Sequence, residues 1–350
     1  MNRSYPRGVD TAPRLTAFSH GAGCACKLGP RDLTRVLELV GPVPKPEDVL
    51  VSEETGDDAA ICRLPGGAGL VLTLDFFTPL VDDPRDWGRI AAANALSDVY
   101  AMGGTPTVAL NIAGWPVDVL PLDLLAEVLA GARDIASRAD VSVVGGHTIT
   151  TEKEPLFGMA AVGFVDESAI VRNSTARPGM RLFLSKPIGT GLITTAIKRD
   201  ATDDEHTRLA IETMTTLNAD ASAAMVRDGA GAATDVTGFG LLGHLRRMLE
   251  ASGCAALIRA GDVPLLPDVL ALARRDVVAG GTKRNLAWLH EVVDWGALTT
   301  PEQVVLADAQ TSGGLLVASA REMDTSFFVP IGEVVAGEPG TIVVEGRVRE

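Results

Sequence analysis

Apolar residues follow strand-like and helix-like spacing in turn over residues 69–165 of this chain. Apolar alternation predicts strands, and recurrence every three to four residues predicts helices. The strand over 141–144 is expected to stop at Gly145-Gly146, because glycine pairs interrupt extended structure. The predicted strands cover residues 69–74, 107–113, 141–144 and 156–165, and the predicted helices cover residues 86–101 and 124–136.

A second block with the same mixture follows a lapse in the apolar pattern at residues 173–179, the best candidate for a linker. Residues 1–30 show no sustained periodicity and are predicted to be mobile. We therefore expect an α+β protein with a glycine-containing arm over 1–45 and two domains over 46–172 and 180–350. In the second block, the predicted strands cover 181–185, the residues leading into Asp235, 327–335 and 341–348, and the predicted helices cover 192–199, 207–227 and 241–251.

The composition is that of a soluble globular protein, with 46% hydrophobic and 22% charged residues. A net charge of −14 argues against a nucleic-acid partner, because phosphate backbones require a basic surface. The start of the chain lacks an apolar signal segment and no run of about 18 apolar residues occurs, so no membrane partner is expected. Four cysteines without a disulfide framework are typical of the reducing cytoplasm, where we expect the protein to act.

Four aspartates stand where a carboxylate would project from the end of an element or from an ordered turn. Asp58 follows a glycine-aspartate pair, Asp75 ends an apolar strand, and Asp235 ends the stretch GAATDV. Asp98 lies one helical turn after Asn94, so the two side chains point the same way. Clustered carboxylates suit Mg²⁺, which prefers oxygen ligands and often bridges to phosphates. The alternative makes Asp57 and Asp235 turn or capping residues and Asp98 a solvated helix position, and both interpretations stay open here.

No Walker-type phosphate loop, G-x-x-x-x-G-K-[ST], occurs in the chain, and no G-x-G-x-x-G is expected to open a helix after a strand. A bound nucleotide would then need another mode of recognition. Residues 145–148 (GGHT), just after a predicted strand, could offer backbone N–H groups and a hydroxyl to phosphate or ribose. Residues 310–314 (QTSGG) have the same character. An ordinary turn is the alternative for both segments.

The segment SHGAGCACK, residues 19–27, places two of the four cysteines one residue apart beside a lysine. Lys27 adjoins Cys26 and lies three residues from Cys24, and a neighbouring cation favours the reactive thiolate. Lys27 could equally contact a phosphate. The glycines would let the segment cover a ligand and open again, as an active-site lid does. The alternatives are a disordered tail with incidental cysteines, or an incomplete metal site with His20.

Several segments taken together resemble one protein family, the selenophosphate synthetases, also called selenide, water dikinases. The resemblance covers residues 15–348, and the combination of the first segment with TDVTGFGLLGH is highly specific. The segments are, in order, SHGAGCACK, ETGDDAA, LDFFTPLVDDPRDWGRIAAANALSDVYAMGG, GGHTI, KPIGTG, TDVTGFGLLGHL, GGTKRN and QTSGGLL.

The resemblance implies the fold of the aminoimidazole ribonucleotide (AIR) synthetase superfamily. An N-terminal α+β domain would bind ATP and Mg²⁺ and join its strands with those of a partner copy in a dimeric β-barrel, followed by a C-terminal α+β domain. The implied reaction converts ATP, hydrogen selenide and water into selenophosphate, AMP and orthophosphate. Selenophosphate would serve as the selenium donor for selenocysteine and selenouridine synthesis. A requirement for K⁺ and a selenium-delivery protein as a partner are left open.

Carried over position by position, the resemblance makes Cys24 and Lys27 catalytic residues, with Lys27 also in contact with ATP. Two positions depart from the family pattern: Ala309 replaces a proline before QTSGG, and Gly56 replaces a basic residue that could contact phosphate. The implied Mg²⁺ ligands are Asp58, Asp98 and Asp235. The implied nucleotide contacts are Thr55, Gly56, Asp57, Asp75, Asp98, Gly146, His147 and Thr148.

Two other functions compete with this interpretation. A related ATP-dependent kinase acting on an oxygen or nitrogen nucleophile would share the acidic segments but would not need GCACK. A non-catalytic selenium-binding or metal-binding regulator could retain the same fold. The complete set of Cys24, Lys27 and the aspartates favours the dikinase.

Overall fold

The computed structural model describes residues 13–19, 21, 23, 30–41 and 45–349. Cys24 and Lys27 lie outside the described residues. Helix α1 (Pro30–Val40) precedes two mixed layers of helices and strands. The helices over the described ranges are all too short or too polar to traverse a lipid bilayer.

The N-terminal half is a six-stranded sheet covered on one face by two helices, α2 (Pro84–Ala101) and α3 (Leu122–Arg138). The strand order is β1-β2-β3-β6-β4-β5, and only β4 and β5 pair in parallel. The strands are β1 (Val49–Val51), β2 (Ala60–Arg63), β3 (Ala68–Phe77), β4 (Thr105–Trp115), β5 (Ser142–Thr150) and β6 (Leu156–Asp166).

Strand alternation gives β3 two different faces. Val71 is fully buried on the face that α2 covers, whereas Leu72, Leu74 and Phe76 point to the opposite face and are exposed. Because successive side chains point to opposite sides of a strand, Thr73 and Asp75 lie on the same face as Val71. The strand therefore brings polar side chains to α2 at its carboxyl end.

Two features position helix α2: the cap at its N-terminus and a glycine at its contact with α3. The side chain of Asp83 accepts a hydrogen bond from the Asp86 N–H at 2.9 Å, and proline occupies the first turn, as expected of a helix start. A Cβ at Gly88 would lie 1.9 Å from the Val128 carbonyl oxygen of α3. Glycine therefore lets the two helix backbones meet directly, which seats α2 firmly against α3.

The C-terminal half is a seven-stranded sheet in the order β10-β13-β9-β12-β7-β11-β8. Its strands are β7 (Arg181–Leu184), β8 (Ala232–Asp235), β9 (Ala255–Arg259), β10 (Val293–Asp294), β11 (Leu315–Ser319), β12 (Val329–Val335) and β13 (Ile342–Glu345). Its helices are α4 (Thr190–Lys198), α5 (Asp204–Thr215), α6 (Ala219–Asp228), α7 (Gly240–Ser252), α8 (Val269–Arg274), α9 (Gly280–Leu289) and α10 (Thr300–Leu306).

Two predicted elements were wrong in extent. The strand predicted over 141–144 does not stop at the glycine pair, because β5 continues to Thr150 in parallel pairing with β4. A Cβ at Gly146 would lie 2.3 Å from the Asn111 carbonyl oxygen, so glycine there allows close pairing instead of ending the strand. The single helix predicted over 207–227 is two helices, α5 and α6, separated where Thr216 adopts an extended conformation.

The chain before α1 makes specific contacts with both halves of the protein. Leu15 is fully buried, and the Arg14 guanidinium bonds Asp82 at 2.8 Å and Asp200 at 2.6 Å. The ammonium group of Lys198 donates to the carbonyl oxygens of Ser19 and Gly21. Part of the arm is thus docked at the junction of the two halves; its mobility stays a prediction.

Candidate active site

A pocket of about 330 Å³ lies where the two halves meet. Residues of β3, α2 and the loop before β2 line one side, and residues of β8 and the turn into α7 line the other. The carboxylates in its lining are those of Asp57, Asp58, Asp75, Asp98 and Asp235. Aspartates far apart in the sequence therefore share one pocket.

Side chains of β3 and α2 form and support the N-terminal wall of the pocket in two matched pairs. The Asn94 side-chain amide donates to Asp75 Oδ2 at 2.6 Å. The Thr73 hydroxyl donates to Asp98 Oδ2. Asn94 and Asp98 are one turn apart on α2, and Thr73 and Asp75 are two residues apart on β3, so the helical and strand periods bring both pairs into register.

Asp58 joins the two halves at the bottom of the pocket. Its carboxylate accepts from the Thr234 hydroxyl at 2.8 Å and from the Asp235 N–H at 3.3 Å. Asp57 accepts from the Asn173 N–H at 2.7 Å, which fixes the same loop from the other side. These bonds hold the loop before β2 against the end of β8.

The alternative role is found for Asp57 but not for Asp98 or Asp235. Asp98 is 7% exposed, so it is not a solvated helix residue. Asp235 is 1% exposed, and α7 begins after Phe239 without a side-chain cap, so Asp235 does not cap that helix. Asp57 does stabilise its own turn, because its carboxylate also accepts from the Thr55 hydroxyl.

The buried carboxylates repel one another. Burial, followed by the charge of Asp235, raises the pKa of Asp58 well above its ordinary value. Burial, followed by the charges of Asp75, Asp235 and Asp58, raises the pKa of Asp98 in the same way. A cation in the pocket would reverse both effects, because an opposite charge favours ionised carboxylates.

The donor chemistry of the pocket fits Mg²⁺. All the acidic ligands are carboxylate oxygens, which suit a hard cation. Within the described ranges, no three His, Cys, Asp or Glu side chains are arranged to hold a metal by themselves. Mg²⁺ is usually bound through one or two carboxylates, with waters and substrate phosphates as its other ligands.

The loop over residues 310–314 supports the pocket through Asn94, the residue that bonds Asp75. The Ser312 N–H donates to Asn94 Oδ1 at 2.8 Å, and Ser312 has a φ of 49°, an uncommon value for a residue with a side chain. Lys186, itself buried, donates to the carbonyl oxygens of Ser312 at 3.0 Å and Thr216 at 2.6 Å. Burial lowers the pKa of Lys186 to about 7, with Asp235 opposing the shift.

Gly146, His147 and Thr148 are not in this pocket. They lie on β5, an edge strand of the N-terminal sheet, and all three are exposed. Gly56 lines the pocket and Thr55 adjoins it. Within the described part of one chain, the predicted nucleotide contacts therefore fall into two separate groups.

Sequence reasoning missed several residues of the site. Thr73 and Thr234 could have been found from the sequence. Thr234 directly precedes Asp235, and Thr73 lies two residues before Asp75 on the same face of the strand. The expectation that no G-x-G-x-x-G opens a helix after a strand was wrong, because GFGLLG at residues 238–243 fits that pattern and leads from β8 into α7. Gly238 and Phe239 of this segment line the pocket. On α7, His244 and Arg247 are one turn apart and both line the pocket.

Comparison with known proteins identifies the class of fold. Residues 56–165 match the family AIR synthase related protein, N-terminal domain, and residues 177–345 match AIR synthase related protein, C-terminal domain. The thiamine monophosphate kinase of Aquifex aeolicus superposes with a TM-score of 0.65 at 21% identity, over 92% of this chain and 98% of its own. The hydrogenase maturation protein HypE of E. coli superposes with a TM-score of 0.61 at 17% identity, over 81% of this chain and 87% of its own. The expected α+β fold with two AIR synthase-related domains is confirmed.

Proteins related in sequence assign the chain to a family more specifically than the fold does. The selenide, water dikinase of Burkholderia pseudomallei is 46% identical over 312 residues, 89% of this chain and 88% of its own length. That of Bordetella bronchiseptica is 44% identical over 350 residues, 96% of this chain and 100% of its own. That of an Enterobacter species is 42% identical over 344 residues, 95% of this chain and 98% of its own. The chain belongs to the selenide, water dikinase family.

Proposed function

We propose that this protein converts ATP, hydrogen selenide and water into selenophosphate, AMP and orthophosphate. The observation that carries the proposal is the convergence of Asp58, Asp98 and Asp235 in one interdomain pocket of a chain from this family. The product would donate selenium for selenocysteine and selenouridine synthesis. A cytoplasmic location belongs to the proposal, because selenide and free thiols persist in a reducing compartment.

Asp58, Asp98 and Asp235 would each supply a carboxylate to bound Mg²⁺, with water and the phosphate oxygens of ATP as the other ligands. When bound, the ion supplies positive charge that offsets the phosphate oxygens and helps to align attacking and leaving groups. Thr73 and Thr234 orient Asp98 and Asp58 through the hydrogen bonds described above. Phosphoryl transfer depends mainly on positioning and charge, which explains how the pocket can work without a Walker lysine.

Cys24 and Lys27 are proposed to capture selenide and cover the terminal phosphate. Selenide is anionic and nucleophilic near neutral pH, so its attack needs shielding more than a strong base. Gly23, which directly precedes Cys24, packs so closely that a Cβ there would lie 2.5 Å from the Thr311 hydroxyl. Thr311 adjoins Ser312, which donates to Asn94, the hydrogen-bonding partner of the pocket residue Asp75, so Gly23 lies near the pocket.

A homodimer is the proposed working form, with the N-terminal sheets of two copies forming a β-barrel. The sheet face opposite α2 and α3 is apolar and exposed, which is typical of a protein interface. Edge strand β5, which carries Gly146, His147 and Thr148, belongs to that sheet, so a dimer could bring these residues to the partner's nucleotide. The exposed apolar side chains include Leu72, Leu74 and Phe76 of β3, Leu110 of β4, Ile149 of β5 and Phe164 of β6.

Sedimentation tests the dimer. The wild-type protein should sediment as a dimer, and Phe76→Arg should sediment as a monomer because it places a charge in the apolar face. Leu122→Arg is the matched control, since Leu122 is exposed on α3, on the covered side of the sheet. A monomeric wild-type protein would contradict the proposed dimer without touching the proposed reaction.

Phosphorus NMR under anaerobic conditions tests the reaction. With ATP, Mg²⁺ and selenide, the wild-type protein should form selenophosphate, orthophosphate and AMP in equal amounts. Cys24→Ser should abolish selenide-dependent AMP formation, whereas Cys62→Ser, on the outer part of the N-terminal sheet, should retain it. ADP as the final product would instead support a related kinase, and nucleotide binding without turnover would support a regulator.

A further inference from the structure

Among the described residues, one arginine faces the acidic pocket. Arg247 lines it from α7, and it is the single lysine or arginine among the described lining residues. Among the described residues, its guanidinium takes part in no hydrogen bond or ion pair, although five carboxylates line the same pocket. The charge of its guanidinium is therefore not neutralised by an ion pair with a described aspartate.

Aromatic rings hold Arg247 in place. Its guanidinium carbon lies 5.9 Å from the centre of the Phe239 ring and 5.8 Å from that of Trp288. The two rings are themselves 6.2 Å apart. Cation–π contacts at these distances fix a guanidinium without using its N–H donors.

The preceding residue, Arg246, has the opposite arrangement. Its guanidinium bonds Glu250 at 2.7 Å, donates to the Trp288 carbonyl oxygen at 3.0 Å and stacks 4.1 Å from the Trp288 ring. Two adjacent arginines on one helix thus differ in a single respect that matters here: Arg246 has its hydrogen-bonding partners within the chain, and Arg247 has its donors available at the pocket.

We propose that Arg247 binds the phosphate groups of the nucleotide, an inference that rests on the proposed function. A guanidinium presents several N–H donors in a planar fork that matches phosphate oxygens. The start of α7 lies at the same pocket, where Gly238 and Phe239 line the wall and no side chain caps the helix. Uncapped helix N–H groups attract negative charge, so helix and arginine favour the same ligand group.

Graded nucleotide binding tests the assignment. Affinities for ATP, ADP, AMP and adenosine would be measured by titration calorimetry with Mg²⁺ present. Arg247→Ala should weaken ATP binding by about tenfold to a hundredfold, the range for a lost charge-assisted hydrogen bond. The loss should shrink as phosphates are removed and vanish for adenosine, and Arg247→Lys should restore part of the ATP affinity. Arg247→Gln, which keeps length without charge, replaces the alanine variant if that variant does not fold.

Arg246→Ala is the matched control and should bind all four ligands as the wild type does. Equal losses for ATP and adenosine in Arg247→Ala would overturn the proposal, because they indicate a contact with the base or a change in fold. Wild-type ATP affinity in Arg247→Ala would overturn it directly, as would a phosphate-dependent loss of the same size in Arg246→Ala. Product formation by the wild-type protein, measured separately, decides the proposed reaction independently of Arg247.

Discussion

Replacing Asn94 with alanine would remove two hydrogen bonds that tie a pocket carboxylate to the C-terminal half of the protein. The side-chain amide of Asn94 donates to Asp75 at 2.6 Å, and its carbonyl oxygen accepts from the Ser312 N–H at 2.8 Å. The residue is fully buried, so water would not readily replace either bond. Asn94→Ala should therefore lower the stability of the protein and leave the Asp75 carboxylate less firmly oriented.

The size of the effect follows from the two bonds. A hydrogen bond to a charged group contributes about 1.5–3 kcal/mol, and one between neutral groups contributes about 0.5–1.5 kcal/mol. The free energy of unfolding should thus fall by about 2–5 kcal/mol in Asn94→Ala. If Asp75 contacts the nucleotide, loss of its orienting bond should lower kcat/KM for ATP by about tenfold to a hundredfold.

The assay compares Asn94→Ala with Asn218→Ala. Asn218 is also buried and also bridges the two halves, donating to the Ser97 hydroxyl at 2.8 Å and the Gly313 carbonyl oxygen at 2.9 Å. It touches no pocket carboxylate through these bonds, so its alanine variant should lose about 1–3 kcal/mol of stability and keep kcat/KM within about threefold. Urea unfolding gives the stabilities, and steady-state rates are measured well below the unfolding temperature.

Equal losses of kcat/KM in the two variants would contradict a specific role of Asn94, because the loss would then follow general destabilisation of the interdomain contact. A wild-type kcat/KM in Asn94→Ala would contradict that role as well. A normal kcat/KM with reduced stability would assign the Asn94 bonds to folding alone.

Three further predictions concern buried charge and packing. Asp98→Asn should abolish product formation yet stabilise the metal-free protein at neutral pH, because burial and then the charge of Asp75 raise the pKa of Asp98. The free energy of unfolding of the wild type should fall as pH rises through the raised pKa of Asp98, whereas that of Asp98→Asn should not fall for this reason. Thermal unfolding measured against pH tests the difference. Burial raises the pKa of Asp308 from 3.8 to about 7, so about 4 kcal/mol of stability should be lost as pH rises across that interval. Denaturant unfolding from about pH 4 to about pH 7 measures the loss, and a slope unchanged in Asp308→Asn would contradict it. Gly88→Ala should lower the free energy of unfolding by about 1–3 kcal/mol or more, because its Cβ would lie 1.9 Å from the Val128 carbonyl oxygen; an unchanged melting temperature would refute this.

Periodicity predicted the elements that bury one regular face. Strand β3 and helices α2 and α3 appear where the spacing placed them, within about three residues at each end. These segments are long and strongly patterned, so local sequence and tertiary burial favour the same structure. The shorter elements β9, β11, α8 and α10 were missed because a few apolar residues do not distinguish strand from helix.

Tertiary contacts overrode the local pattern at specific residues. Asn218 bonds Ser97 and Gly313 at the start of α6, which separates two helices that the apolar spacing had joined. Gly146 continues β5 because the neighbouring backbone of β4 leaves no room for a side chain. In both cases the deciding contact comes from a residue distant in sequence.

The order of residues alone was enough to recognise the family, the mixture of helices and strands, and the aspartates to examine. Folding places Asp58 against Asp235, which is 177 residues further along the chain, and buries Asp235 almost completely. Likewise, Arg246 and Arg247 are indistinguishable as adjacent letters, yet one is paired within the chain and the other faces the pocket. Charge, burial and hydrogen bonding depend on neighbours in space, and spacing along the chain constrains those neighbours only within a single helix or strand.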